Sequence, residues 1–214
     1  MTVPVAQFDH LVIAGVTLAQ AIEWFADLTG VAARVGGQHV RMGTHNALAR
    51  LGERAFVELI AIDPSLPKPA RPRWFDLDDA KLALTLGEQP RLIHWVARTT
   101  DLDGLVARAK HDPGTAMSMA RGDFQWRITV PDDGHRPGDG VLPTLIQWDV
   151  PKHPAEGLPD LGMALVQLAA SHPEPETIRE SLKALGLGET LHVTYDSSPR
   201  LAAMLRTPRG LVTL

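Results

Sequence analysis

Phe8-Asp9-His10-Leu11-Val12-Ile13-Ala14 is a short apolar run broken by a histidine, and Leu92-Ile93-His94-Trp95-Val96 repeats the arrangement further along. Each reads as a buried strand, because Val, Ile and Leu dominate a run too short for a helix. The elements after each run also repeat. Beyond the first, Thr17 caps a helix over Leu18 to Leu28, with apolar residues at Leu18, Ala21, Ile22, Phe25 and Leu28, and Thr29-Gly30 stops it. Strands are then expected over Ala32 to Val35, Ala47 to Leu51 and Ala55 to Ile62, separated by Gly36-Gly37, Gly43 and Gly52-Glu53. The unit is βαβββ. After the second run, Asp101 caps a helix extending to Lys110, and strands are expected over Ala116 to Ala120, Phe124 to Val130 and Leu142 to Val150.

The two units span residues 1–150 as one paired domain, interrupted by a Pro-rich insertion, 63–90, with a short helix around Asp78 to Leu84. Residues 160–214 give the same order a third time: a strand from Met163 to Ala170, a helix from Pro175 to Leu185, and strands at Leu191 to Tyr195, Arg200 to Arg206 and Leu211 to Leu214. This third half-module packs on the first two or on a partner subunit. The fold class is α+β.

A polar residue inside an apolar strand needs a reason, since burying it unpaired costs roughly 1–3 kcal/mol. His10 and His94 sit in the first strands of the two units, Glu58 and Gln147 in their last strands. If a pseudo-twofold axis relates the units, the four meet. Two imidazoles, a carboxylate and an amide oxygen suit a divalent ion such as Zn, Ni, Fe, Co or Mn. The alternative is a metal-free pocket.

The 214 residues carry 21 Lys+Arg against 25 Asp+Glu and no cysteine. A net charge of −4 argues against a nucleic-acid partner. Without cysteine there is no disulfide framework, and any metal is held by nitrogen and oxygen. No apolar run is long enough for a membrane span and Met1 to His10 shows no signal peptide, so the expected location is cytoplasmic.

The strand motifs Asp9-His10-Leu11, Val57-Glu58-Leu59, Ile93-His94-Trp95 and Ile146-Gln147-Trp148 resemble those of the vicinal oxygen chelate superfamily, which includes glyoxalase I, extradiol dioxygenases and bleomycin resistance proteins. Gly43-Thr44-His45-Asn46 and Glu58 to Pro64 resemble the glyoxalase-like domain proteins within it. The resemblance implies a curved mixed sheet around a cavity, helices on its outer face, and His10, Glu58, His94 and Gln147 as metal ligands. It further implies a metal-dependent isomerase or lyase acting on a small oxygenated metabolite, with Glu58 as the catalytic base because Gln147 stands where many members have Glu. A metal-free binding protein of the resistance type and an extradiol-type dioxygenase are the alternatives, and a homodimer is possible in this superfamily.

Asn46 and Arg50, and likewise Gln125 and Arg127, alternate onto one strand face each and are the candidate substrate-binding residues. His39 and His45 lie beside glycines and read as surface residues. Trp95 and Trp148 should point to the helix side, opposite the ligand candidates. Trp74-Phe75 in the insertion is either a lid or an anchor to the core.

Overall fold

The computed structural model describes residues 5–214; the Met1 to Pro4 part of the N-terminal stretch lies outside the described residues. Two βαβββ units build one eight-stranded sheet of order β2-β3-β4-β1-β5-β8-β7-β6. The first comprises β1 (Gln7–Ala14), α1 (Leu18–Thr29), β2 (Arg34–His39), β3 (Thr44–Gly52) and β4 (Ala55–Ile62). After the insertion with α2 (Ala80–Glu88) come β5 (Arg91–Arg98), α3 (Leu102–Val106), β6 (Thr115–Arg121), β7 (Phe124–Val130) and β8 (Thr144–Trp148).

In both units the first strand pairs in parallel with the last, β1 with β4 and β5 with β8. The units join where β1 runs antiparallel to β5, with Leu11 opposite Trp95. Because His10 lies opposite Val96 and Val12 opposite His94, the join has twofold symmetry and makes His10 and His94 equivalent.

The sheet separates two apolar layers. Leu11, Ile13, Val57, Leu59, Trp95, Ala97 and Leu145 face the outer layer, where α1 buries Leu18, Ala21 and Phe25. Thr17 accepts the Gln20 amide at 3.1 Å to start that helix, and Gly30, at φ 77°, ends it. Val12, Ile60, Val96, Ile128 and Ile146 face the inner, concave side, which the insertion enters with Trp74, Phe75, Leu77 and the Leu82 and Leu86 face of α2.

The second unit's helix is shorter than expected, ending at Val106 and not Lys110. Gly104 weakens it, and the C-terminal unit fills the space beside it: Leu102 and Leu105 share their core with Ile178 and Leu182 of α4 (Pro175–Ala184). That unit adds β9 (Ala164–His172), β10 (His192–Tyr195), β11 (Arg200–Thr207) and β12 (Gly210–Thr213). It repeats the element order of the first two but not their pairing. Its sheet runs β10-β9-β11-β12, so its first strand pairs in parallel with its second rather than its fourth. Leu168, Ala170, Ala203 and Leu205 join it to the outer layer of the large sheet.

No helix among the described residues is long and apolar enough to cross a membrane.

Candidate functional site

The concave face holds a cavity lined by His10, His39, Asn46, Glu58, Arg121 and the aromatic rings of Phe56, Trp74, Phe75, Trp126 and Trp148. Only about 30 Å3 is open to the centres of water-sized molecules, room for about two waters.

A register shift in β1 between Phe8 and His10 lets Asp9 and His10 both reach the concave side, while Phe8 packs near Trp95 on the outer side. Asp9 is fully buried and accepts three hydrogen bonds: from His10 Nδ1 at 2.6 Å, Trp148 Nε1 at 3.0 Å and His153 Nε2 at 3.1 Å. His153 Nδ1 in turn accepts the Ala155 amide at 3.3 Å, which places the His153 proton on Nε2. Burial alone would raise the Asp9 pKa, but the bonds from His10 and His153 outweigh it and hold the carboxyl well below the usual carboxylate range. Asp9 is therefore an anion that fixes the His10 ring with Nδ1 as donor and Nε2 turned to the cavity.

Glu58 meets that nitrogen. Its Oε2 lies 3.7 Å from His10 Nε2, and its Oε1 accepts Asn46 Nδ2 at 2.6 Å. The orientation of Asn46 is determined by its other end, since Oδ1 accepts from Gly37 N at 3.1 Å and Arg121 Nη1 at 2.8 Å. Arg121 also donates to His39 Nε2 at 3.1 Å, so the His39 proton sits on Nδ1, facing Thr44 Oγ1 at 3.1 Å. Burial, with Arg121 adding to it against the pull of Glu58, lowers His39 to about 4. Two glycines make room for this arrangement. A Cβ on Gly36 would lie 2.2 Å from Asn46 Oδ1, and one on Gly37 would lie 2.9 Å from Arg121 Cδ.

The second unit differs at the matching places. The register sets Val12 against Glu58 in the first unit and Val96 against Thr144 in the second, so the equivalent of Glu58 is Thr144, not Gln147. His94 Nδ1 donates to Gly140 O at 3.2 Å, while Nε2 accepts the Thr144 amide at 3.1 Å and meets Thr144 Oγ1 at 3.0 Å. The ring is fully buried, with Phe75 at a centroid distance of 5.3 Å. Burial, with Arg136 adding to it, lowers its pKa to about 3. Gln147 points to the outer side, where its Oε1 accepts the Leu102 amide at 2.9 Å and helps start α3.

The four expected metal ligands thus do not converge. His10 and Glu58 face each other, His94 is sealed by its own hydrogen bonds, and Gln147 is on the far face. Among the described residues, no group of three or more His, Cys, Asp or Glu is arranged to hold a metal. Of the two donors left, Glu58 also feels the Arg121 guanidinium, which disfavours an added cation. The donor set does not fit the four-ligand ion.

Of the expected substrate-binding residues, Asn46 lines the cavity. Arg50 turns away, its Nε donating to Gly52 O at 3.1 Å, and Gln125 lies in an open surface hollow with Arg41 and Asp149 and does not line the cavity. Arg127 pairs with Asp103 at 2.9 Å on the outer face. His39 is buried at the site and not on the surface, and Trp148 faces the cavity and not the helices. Both corrections have a plain cause. His39 ends a strand whose last side chain turns inward, and in β8 the side chain that breaks the apolar run is the outward one, so the alternation is inverted relative to β4. Periodicity also passes over Asp9, Arg121 and His153. An acidic residue next to His10 in an apolar strand is a usable signal for Asp9; the other two reach the site from a hairpin end and a connector, which periodicity does not mark.

Trp74 and Phe75 cover the cavity. Trp74 stacks on Phe75 at 5.2 Å and meets His39 edge-on at 5.0 Å. Phe75 and Asp76 both adopt left-handed backbone angles, φ 61° and 57°, which cost such residues about 1–2 kcal/mol each. Arg136 Nε holds Asp76 at 2.7 Å and Arg73 holds Asp78 at 2.6 Å, which keeps the strap in place.

The profile of a glyoxalase-like domain matches residues 8–186. The chain belongs to the glyoxalase-like domain family. That places it in the vicinal oxygen chelate superfamily. No curated protein matches this glyoxalase-like chain. Among solved structures, it is similar to a hypothetical protein from Staphylococcus aureus, with 12% identity over 92% of this chain and 88% of that one and a TM-score of 0.61, which supports the fold. Weaker likenesses include methylmalonyl-CoA epimerase from Mycobacterium tuberculosis, with 21% identity over 69% and 91% of the two chains and a TM-score of 0.40. A variant of 4-hydroxymandelate synthase from Streptomyces coelicolor gives 15% identity over 99% and 62%, at 0.49.

Proposed function

We propose that this glyoxalase-like protein is an isomerase or lyase that moves a proton next to a carbonyl group of a small oxygenated metabolite, with Glu58 as base and His10 as its partner. One observation carries the reading. His10 Nε2 and Glu58 Oε2 stand 3.7 Å apart in a narrow cavity, and neither atom receives a hydrogen bond from the described residues. Two acceptors in that relation can share or exchange one proton, and Asp9 and Asn46 hold them in place without using the facing atoms. In the isomerisation, the substrate C–H bond breaks and the proton passes to Glu58 while its electron pair moves onto the carbonyl oxygen. Return of the proton to carbon completes the exchange. A narrow, buried, aromatic-lined site strengthens both steps.

The second reading, a protein that binds a ligand without changing it, draws support from the covering by Trp74 and Phe75. Deuterium wash-in from heavy water, followed by NMR on a panel of hydroxyketones, 2-oxo acids and β-dicarbonyl acids, separates the two. Exchange above the buffer rate that falls about 100-fold or more in Glu58→Gln is the expected result. No exchange with any member of the panel, or equal exchange in the variant, overturns the proton-transfer reading.

A further inference from the structure

The cavity is too small as it stands for a metabolite, but it does not end at its polar floor. Leu48, Arg121 and Pro154 also line a second, open hollow of about 370 Å3, so the two spaces adjoin. That hollow, unlike the first, is in the size range of small-molecule sites. Its charged residues are Arg34, Arg121, Lys152 and Asp123, three cations to one carboxylate on a chain whose net charge is −4. Arg34 and Lys152 are exposed and pair with no carboxylate among the described residues.

Arg121 stands at the junction. Its two hydrogen bonds, to Asn46 and His39, both come from Nη1, and Nε and Nη2 bond to no described residue. The part-buried guanidinium therefore keeps an edge of parallel N–H donors, the geometry that takes two oxygens of one anion. A second donor lies nearby in the same lining: Trp74 Nε1 is buried and has no hydrogen-bond partner. A buried indole N–H without a partner costs about 1–3 kcal/mol, a cost that a ligand oxygen would remove.

We propose that the site takes a small anionic molecule, a carboxylate or phosphate ester with an apolar body. Its anionic group sits on the free edge of Arg121, its approach is steered by Arg34 and Lys152, and its body lies in the hollow against Leu48, Phe124 and Leu158, with its reacting carbon toward the cavity. The anion-binding part stands on Arg121 and the hollow alone; only the placing of the reacting carbon rests on the proton-transfer reading.

Quenching of tryptophan fluorescence by benzoate, phenyl phosphate and the neutral isostere benzamide tests it, since Trp74, Trp126 and Trp148 line the cavity. Benzoate or phenyl phosphate should bind at least about tenfold more tightly than benzamide, and the stronger of the two identifies the anion class. Arg121→Gln should remove about tenfold or more of that preference, with Arg121→Lys falling between. The exposed pair Arg34→Ala and Lys152→Ala tests the steering without touching the core. Together they should weaken anion binding about two- to fivefold at low salt and less at high salt.

Equal affinity for benzamide and both anions, full anion binding by Arg121→Gln, or no binding of any probe overturns the proposal. The two readings fail separately. Glu58-dependent exchange without anion preference refutes the anion site and leaves proton transfer standing, and anion binding through Arg121 without exchange does the reverse.

Discussion

The two halves of the large sheet start from one plan and end in opposite chemical states. In the first, His10, Glu58 and Asn46 form a polar set open to the cavity; in the second, the register places His94, Thr144 and Ile128 at the corresponding points. Exchanging a carboxylate for a hydroxyl and an amide for a branched alkyl group changes what the histidine can do. His10 keeps a free ring nitrogen because an anion, Asp9, holds the other one. His94 spends both nitrogens on Gly140 and Thr144 and becomes part of the core. A duplicated fold thus keeps a duplicated histidine in two settings, a ring nitrogen facing the cavity on one side and satisfied packing on the other.

The largest test of that contrast is kinetic. Glu58→Gln should cost about 10²–10⁴-fold in proton exchange, whereas Thr144→Val should leave the rate within about threefold; parallel losses would show that the halves act together. Metal retention cuts the same way. Protein loaded with excess zinc, nickel or manganese and then desalted should retain well under one ion per chain, and stoichiometric retention lost in His94→Ala would mean that the second half does supply a ligand.

Next in size is Asp9→Leu, which strands the donors of His10, Trp148 and His153 and should cost roughly 3 kcal/mol or more in urea unfolding. The effect of pH should single out the sealed histidines. Burial holds His94 at about 3 and His39 at about 4 in the fold, against about 6.5 in the unfolded chain. The unfolded chain therefore takes up protons that the native one refuses. Their contribution to stability is complete above about pH 6.5 and is lost progressively as the pH falls toward 3. His94→Gln, which keeps a donor and an acceptor, should flatten that slope in denaturation series at successive pH values. The smallest change is Gln147→Ala, which loses one bond to the start of α3, about 1 kcal/mol, with no effect on exchange.

Much of the fold was legible because its strands are apolar runs with sharp ends. Ala55 to Ile62 and Phe124 to Val130 match the observed strands residue for residue, and the paired histidines marked the units. The site was only half legible. His10 and Glu58 stood out as polar residues in strands buried on both sides. In β8 the same logic chose Gln147, because a strand's outward polar residue and its inward one look alike when the outer side is also buried. The C-terminal unit exposed a related limit: element order can be read from periodicity, but which strand pairs with which depends on contacts distant in sequence.

His153 gives the site a place in time. One of the three donors that balance buried Asp9 comes from the turn after the eighth strand, so both units can be made and paired while that carboxylate still lacks a partner. The site is complete only when the connector closes over Trp148, so a chain cut at residue 150 would leave the Asp9 carboxylate with two of its three donors.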